Sequence, residues 1–200
     1  MTPVILGIAG GTASGKTTLS RIVAERLGDE CLYIVHDRYY RTMPAEFADR
    51  PTHWNFDHPD SLDTARLVDD LKKLGRGESA LLPDYDYSKH SRKDVEQRVG
   101  PRPIILVEGI LVLADASLRE RFHHSVFVYT PDDIRLIRRI KRDNLSRGRT
   151  PLATIDQYER TVRPMHEQFV APSRAHAELE LDGTADIEQS VAAVLALIGR

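Results

Sequence analysis

The stretch GGTASGKTT, residues 10–18, restricts the fold of this chain more than any other segment. It contains the pattern G-x-x-x-x-G-K-T from Gly10 to Thr17, between an apolar run at 4–9 (VILGIA) and a segment with helical spacing at 16–27. Glycines in this context let several backbone N–H groups point at one anion, and the positive end of the following helix adds to the attraction. The pattern therefore predicts a strand, a phosphate-binding loop and a helix.

Each position of this loop has a chemical role in the prediction. Lys16 supplies a mobile charge for the outer phosphates of a nucleotide such as ATP, and Thr17 offers a hydroxyl to Mg²⁺. The chain has neither the N-K-x-D motif of GTPases nor the L-S-G-G-Q motif of transporter ATPases. The residues expected at the donor nucleotide are Gly10, Gly11, Thr12, Ala13, Ser14, Gly15, Lys16, Thr17 and Thr18.

The rest of the chain alternates strand-like and helix-like segments. This alternation predicts an α/β fold with a parallel sheet of about five strands and helices on both faces. One domain is expected over 1–200, because the length suits a single core. The predicted strands cover 4–9, 31–35, 103–107, 125–129 and a weaker edge strand at 178–181. The predicted helices cover 16–27, 61–75 (capped by Asp60 or Ser61 and closed by Gly75), 132–147, 152–170 and 186–198.

Two long segments, 38–60 and 76–102, lack a regular hydrophobic pattern. Long loops in a compact domain commonly carry function. The second contains PDYDYSKHSR (83–92), in which tyrosines alternate with aspartates and little aliphatic surface is present. Both segments are predicted to be insertions that bind a substrate.

Composition limits the kinds of binding partner and the cellular compartment that we expect for this chain. The net charge of −2 argues against a nucleic-acid-binding protein, and no apolar run approaches the length of a membrane span. Cys31 is the single cysteine, so no internal disulfide is possible. The start of the chain is predicted to be a strand, not a signal peptide, and a reduced cytoplasmic location is the expectation.

Carboxylates follow two of the predicted strands. Asp37 comes after the second strand and Glu108 after the third, where ligands bind in open parallel sheets. Asp37 is interpreted as a general base that takes a proton from an attacking hydroxyl, or alternatively as a loop cap. Glu108 is interpreted as a Mg²⁺ ligand together with Thr17, and His36 as a packing residue.

Arginines recur along one face of the helix at 132–147. They are Arg135, Arg138, Arg139 and Arg142, and Arg147 and Arg149 follow. A solvated basic face is the simplest explanation. Like charges four residues apart destabilise a helix, however, and a bound polyphosphate would offset that repulsion.

Six motifs, in chain order, resemble the uridine–cytidine kinase family. They are GGTASGKTT, NFDHPDSLD (55–63), YDYSKHSR (85–92), VEGIL (107–111), RRIKRDNLSRGR (138–149) and YERTVRP (158–164). The resemblance implies the P-loop nucleoside kinase fold. It also implies transfer of the γ-phosphate of ATP or GTP to the 5′-hydroxyl of uridine or cytidine, with Mg²⁺, in a homo-oligomer for which the family suggests a tetramer.

The resemblance also implies roles for residues of this chain. Tyr85 and His90 would recognise the pyrimidine edge, Tyr87 would stack on the ring, and Asp57, with Phe56 beside it, would bind the ribose. Asp37 would be the general base, with Tyr40 nearby. Arg139 and Arg142 would contact phosphate or the 5′ end, Arg147 and Arg149 the donor nucleotide, and Gln157 the nucleoside.

The chain departs from the family pattern at a few positions. Arg38 follows the aspartate where a small residue is usual, Tyr129 and Pro131 are unusual, and 178–184 diverges. A different small-molecule kinase, acting on phosphoribulose or pantothenate, remains an alternative, as does a nucleotide-binding regulatory protein without turnover. The regulatory protein is disfavoured, because a protein that only binds nucleotide needs no acceptor residues such as Asp37, Asp57 and His90.

Overall fold

The computed structural model describes residues 2–200 and has a main sheet of five parallel strands. Met1, the first residue of the predicted domain, lies outside this range. The strands are β1 (Val4–Gly10), β2 (Cys31–Val35), β3 (Ala80–Leu82), β4 (Tyr85–Asp86), β5 (Ser91–Arg92), β6 (Gln97–Val99), β7 (Ile104–Glu108), β8 (His124–Tyr129) and β9 (Leu179–Asp182). The main sheet has the order β2-β7-β1-β8-β9.

The register of the central strands brings their carboxyl ends together. Ile8 of β1 pairs with Glu108 of β7, and Glu108 pairs in turn with Val35 of β2. The phosphate loop after β1 and the turn after β2 therefore start beside the end of β7. The phosphate loop, Asp37 and Glu108 therefore share this edge of the sheet.

Eight α-helical segments lie between and after the strands within residues 2–200. They are α1 (Lys16–Leu27), α2 (Thr64–Gly75), α3 (Ala116–Arg119), α4 (Asp132–Arg147), α5 (Pro151–Gln157), α6 (Arg163–Met165), α7 (Ala171–Ser173) and α8 (Ile187–Leu197).

Apolar side chains on the two faces of the sheet form two separate clusters. Leu6 and Ile8 of β1 lie in the cluster with Leu19 of α1 and Val191 of α8. The neighbouring strand residue Ile5 lies in the other cluster, with Leu67 and Leu71 of α2. Because successive side chains of a strand point to opposite faces, this division shows helices on both sides of the sheet. The predicted fold class is confirmed.

The helix predicted at 61–75 starts later than expected. Pro59–Ser61 forms a single 3₁₀ turn, Leu62 pairs with Tyr40 in an isolated antiparallel bridge, and α2 begins at Thr64 after Asp63. The predicted caps, Asp60 and Ser61, therefore precede the helix. Tertiary pairing of Leu62 holds the backbone extended where the local sequence favours a helix.

The helix predicted at 152–170 is also more complex than the sequence indicates. Between α5 and α6, and between α6 and α7, residues Tyr158–Val162 and His166–Val170 form π-helical turns. Pro164 and Pro172 follow these turns, in α6 and α7. A proline lacks a backbone N–H and cannot complete the regular ladder, which is a cause of such local widening.

The insertion at 76–102 contains more regular structure than its pattern predicts. β3 pairs with β6 and β4 pairs with β5, both antiparallel, so that two small sheets carry 83–92. The insertion at 38–60 consists mainly of 3₁₀ turns, including Ala45–Phe47 and Pro51–His53.

Two of the unusual positions have structural explanations. Pro131 immediately precedes α4, where the missing backbone N–H of a proline costs no helical hydrogen bond. The guanidinium carbon of Arg174 lies 4.4 Å from the centroid of the Tyr129 ring, which is a cation–π contact. The divergent 178–184 segment includes the edge strand β9, as predicted. Within residues 2–200, none of the helices has the length and apolarity required to cross a membrane.

Candidate active site

The phosphate loop depends on close backbone packing. Gly15 has φ of 102°, a left-handed conformation that favours glycine, and it caps α1. A Cβ on Gly11 would lie 2.6 Å from a guanidinium nitrogen of Arg135. Gly15 is therefore suited to the turn into α1, and a side chain at Gly11 would displace the guanidinium of the buried Arg135.

The buried side chain of Arg135 contacts the phosphate loop. Arg135 is 1% exposed and donates to the carbonyl oxygens of Thr130 at 3.2 Å and Thr12 at 3.5 Å, and to the Asp132 carboxylate at 2.6 Å. Arg138 likewise donates to the Gly183 carbonyl at 3.0 Å. The sequence grouped both arginines with a basic face that could meet phosphate. The structure gives them backbone partners instead.

The two predicted metal ligands lie together. Oε1 of the buried Glu108 accepts from the Thr17 hydroxyl at 3.1 Å and from the Tyr33 hydroxyl at 3.4 Å, and Lys16 Nζ lies 3.7 Å from Oε2. In the part of the chain that the structure describes, Oε2 has no hydrogen-bond partner. Sequence reasoning did not identify Tyr33.

This arrangement fits Mg²⁺ bound together with a nucleotide. Such ions take one or two protein carboxylates and complete their shell with substrate phosphates and water. Over residues 2–200, no group of three or more His, Cys, Asp or Glu side chains could hold a metal by itself. Thr17 and the free oxygen of Glu108 are therefore suited to a metal that arrives with phosphates.

Asp37 is the second residue after β2, in the 3₁₀ turn His36–Tyr39. Burial raises its pKa to about 6, the carboxylates of Glu108 and Asp57 add to the rise, and the charge of Lys16 opposes it. A carboxyl group with a pKa near neutrality can accept a proton at physiological pH. His36 is fully buried and its Nε2 lies 3.3 Å from the Thr64 hydroxyl, as expected of a packing residue.

Five aromatic side chains, two from the insertion 38–60 and three from the insertion 76–102, form one connected group, here called the aromatic cluster. Tyr40 lies between Phe56 and Tyr85, with ring centroids 5.5 Å away in each case. Phe56 also contacts His90 at 5.0 Å, and Tyr85 contacts Tyr87 at 5.3 Å. The structure thus brings together the aromatic residues that the resemblance assigned to the nucleoside.

Polar groups of the aromatic cluster are available for a ligand. The Tyr85 hydroxyl is buried and has no hydrogen-bond partner within 2–200. Burial and the nearby Arg149 lower the pKa of His90, which favours the neutral imidazole. A neutral imidazole has one donor and one acceptor, as recognition of a base edge requires.

Asp57 faces the arginines of α4. Burial raises the pKa of its carboxyl group, while Arg139 and Lys16 oppose the rise. Burial of Arg139 lowers the pKa of its guanidinium group. The negative charge of Asp57 partly offsets this decrease. Asp57, in the insertion 38–60, therefore lies near the cationic phosphate-binding residues, a position suited to ribose hydroxyls.

Asp143 binds three arginines of α4, and the sequence analysis assigned it no role. It is fully buried, and its carboxylate lies 2.9 Å from Arg142, 3.6 Å from Arg139 and 3.6 Å from Arg147. The mutual repulsion of the arginines is thus reduced before any phosphate binds. An aspartate at i+4 from Arg139 and i−4 from Arg147 was the available sequence signal.

Gln157 connects Arg139 with Arg149. Its side-chain oxygen accepts from Arg139 at 3.0 Å and from Arg149 at 2.6 Å, and Arg139 also donates to the Thr12 hydroxyl at 2.9 Å. Arg149, for which the resemblance implies the donor nucleotide, therefore lies next to the predicted nucleoside residues Gln157 and His90. Its donor role stays a prediction.

Arg92, to which the sequence analysis assigned no role, fixes the end of 83–92. Arg92 donates to the carbonyl oxygens of Tyr39 at 3.2 Å and Tyr40 at 3.0 Å, and to the Asp63 carboxylate at 2.9 Å. Its position in the HSR motif was the available sequence signal. The motif does not identify its partners, because they lie about 30–50 residues away in sequence.

These features define a class of protein. A phosphate loop that opens a helix and a carboxylate at the end of the adjacent strand are the parts of a P-loop kinase. The solved structure of phosphoribulokinase from Rhodobacter spheroides has a similar fold, with a TM-score of 0.69 and 14% identity over 92% of this chain and 73% of that one.

The sequence comparisons identify the family. The model of the Phosphoribulokinase / Uridine kinase family matches residues 5–188, and the chain belongs to this family. It is 44% identical over 182 residues to the uridine kinase of Chloroflexus aggregans, covering 90% of this chain and 87% of that protein. It is 43% identical over 178 residues to the uridine kinase of Ligilactobacillus salivarius, covering 88% and 84%.

Proposed function

We propose that this protein is a uridine kinase that transfers the γ-phosphate of ATP or GTP to the 5′-hydroxyl of uridine or cytidine. The identity to uridine kinases over about nine tenths of the chain supports this reaction. The single observation that carries the substrate class is the aromatic cluster, which adjoins Asp37 and Asp57. A flat base needs aromatic faces and a few polar groups that fix its edge.

Asp37 is the proposed general base. With its pKa near 6 it is mostly ionised at pH 7, and it can orient the acceptor hydroxyl and take its proton as the new bond forms. Asp57 binds the ribose hydroxyls and so places the 5′ end toward Asp37. Both carboxylates are set against the positive charge of Lys16, which limits the cost of their ionisation.

Lys16, Arg139 and Arg142 are proposed to stabilise the negative charge of the transferred group. Preorganised cations in a site with little water are effective at this task. The hydrogen bond from Arg139 to Thr12 fixes one of them beside the phosphate loop. Thr17 and Glu108 would hold Mg²⁺, which neutralises phosphate charge when it is bound. The remaining loop residues and Arg147 and Arg149 are proposed to bind the donor.

Tyr85 and His90 are proposed to recognise the base edge, with Tyr87 stacked on the ring. The neutral imidazole and the hydroxyl can each donate or accept. This versatility supports acceptance of both uracil and cytosine. Gln157, held by two arginines, is proposed to contact the nucleoside.

Three further proposals concern the organisation of the protein. Residues 1–200 are proposed to form one kinase domain, with nucleoside-binding insertions at about 38–60 and 76–102. The family resemblance supports a homo-oligomer, as a tetramer. A role in pyrimidine salvage in the cytoplasm accords with the small-molecule substrate.

The test is ADP release with ATP and a panel of acceptors: uridine, cytidine, adenosine, phosphoribulose and pantothenate. Turnover with uridine and cytidine, and little with adenosine, is expected because Tyr85 and His90 are proposed to recognise a pyrimidine edge. Efficient turnover of phosphoribulose or pantothenate alone would replace the proposal with the corresponding kinase. Nucleotide binding without turnover of any acceptor would indicate a regulatory protein.

A further inference from the structure

Arg38 connects the turn that bears Asp37 with the insertion that bears the aromatic cluster. Its Nε donates to the Pro83 carbonyl at 2.9 Å, and its Nη1 donates to the Gln97 side-chain oxygen at 3.1 Å. The side chain is half-buried. The small residue usual at this position in the family could not span these contacts.

The two acceptors belong to opposite strands of one small sheet. Pro83 directly follows β3, and Gln97 is the first residue of β6, which pairs with β3. Residues 84–96, which include the aromatic part of 83–92, lie between them in sequence. Arg38 therefore fixes the two strand ends from which this segment extends.

Arg92 fixes the other end of the same segment. It binds the backbone of Tyr39 and Tyr40, which adjoin Arg38 in sequence. The segment 83–92 is thus held at both ends against one short stretch, 38–40. The positive charge of Arg38 also opposes the rise that burial causes in the pKa of Tyr87, which places the guanidinium near that ring.

We propose that Arg38 is a positioning residue for nucleobase recognition: it holds 83–92 against the turn of Asp37, so that the pocket for a pyrimidine ribonucleoside is formed before the substrate binds. The identity of the substrate rests on the proposed function. A pocket formed in advance reduces the ordering cost of binding, so the effect belongs to nucleoside affinity and not to the chemical step.

The test compares Arg38→Ala with wild type by steady-state kinetics and limited trypsin digestion. We expect the KM for uridine to rise about tenfold, with kcat changed by less than about threefold and the KM for ATP unchanged, since two charge-assisted hydrogen bonds are lost. Trypsin should cleave faster after Lys89, Arg92 and Lys93 only, and uridine should slow this cleavage.

Two variants act as controls. Gln97→Ala removes one of the two contacts and should show a smaller rise in the KM for uridine. Arg26→Ala removes an exposed arginine in the last turn of α1, outside both insertions, and should match wild type in both assays.

Several results would overturn the proposal. They are an unchanged KM for uridine in Arg38→Ala, a loss confined to kcat, or faster trypsin cleavage throughout the chain, which would indicate general destabilisation. If wild type phosphorylates no nucleoside, the proposed function fails, and the digestion still decides the role of Arg38. Faster cleavage confined to residues 89–93 would then support it, and an unchanged pattern would refute it.

Discussion

Replacing Asp37 with asparagine should stabilise the protein while it removes activity. The carboxyl group is held where its ionised form is disfavoured, since burial raises its pKa from 3.8 to about 6. Asparagine has nearly the same shape and carries no charge. The variant should lose about 10²-fold or more in kcat, because the proposed general base is gone.

The size of the stabilisation follows from the pKa shift. Each unit of difference between the folded and unfolded values corresponds to about 1.4 kcal/mol. A rise of roughly two units therefore makes the ionised form of Asp37 cost the fold up to about 3 kcal/mol at pH 8. Asp37→Asn should recover most of this free energy of unfolding.

The pH dependence has a definite sign. Between pH 3.8 and about 6 the folded protein binds more protons at Asp37 than the unfolded chain does, so this group lowers stability as pH rises through that window. Above the folded pKa the cost is complete. The advantage of Asp37→Asn should therefore be largest at pH 8 and fall to about half at pH 5.

Urea denaturation of wild type and Asp37→Asn at pH 5 and pH 8 measures this effect. Asp29→Asn is the matched control, because Asp29 is exposed and should give no pH-dependent difference. An Asp37→Asn protein no more stable than wild type at pH 8, or an equal gap at both pH values, would refute the reasoning. Wild-type turnover in the variant would remove Asp37 from the mechanism. In wild type, kcat/KM should fall below about pH 6.

Three further variants test separate parts of the site. Lys16→Ala should abolish phosphorylation but retain uridine binding measured by calorimetry, and persistent turnover would exclude the loop as the donor site. His90→Ala should change the ratio of kcat/KM for uridine and cytidine by about fivefold or more, because a polar edge loses its partner. An unchanged ratio would remove His90 from base recognition. Tyr33→Phe should raise the Mg²⁺ concentration needed for half of the ADP-induced thermal shift by about tenfold, since second-shell groups orient metal ligands. An identical Mg²⁺ titration would show that the Tyr33 hydroxyl does not orient Glu108.

The order and type of the main elements could be predicted from the sequence because their signals are local. Apolar runs specify β1, β2, β7 and β8, and the glycine pattern between β1 and α1 requires a phosphate loop. Helix α4 was predicted with its observed bounds, Asp132–Arg147, since its hydrophobic and charged positions repeat with helical period and Gly148 ends it.

Elements whose boundaries depend on distant partners were predicted less well. The start of α2 is displaced because Leu62 pairs with Tyr40. The short strands β3 to β6 have two or three residues each, too few to show a period in sequence, and they exist because each has an antiparallel partner.

The sequence also supplied the chemical groups of the site: Lys16, Thr17, Asp37, Glu108 and the tyrosines. Only the tertiary structure determined their environment. Burial at the sheet edge raises the pKa of Asp37, and the fold separates the arginines of α4 into those that support the loop and those gathered around Asp143. Desolvation and hydrogen bonding depend on atoms within a few ångströms, and in this protein those atoms come from segments up to 127 residues apart.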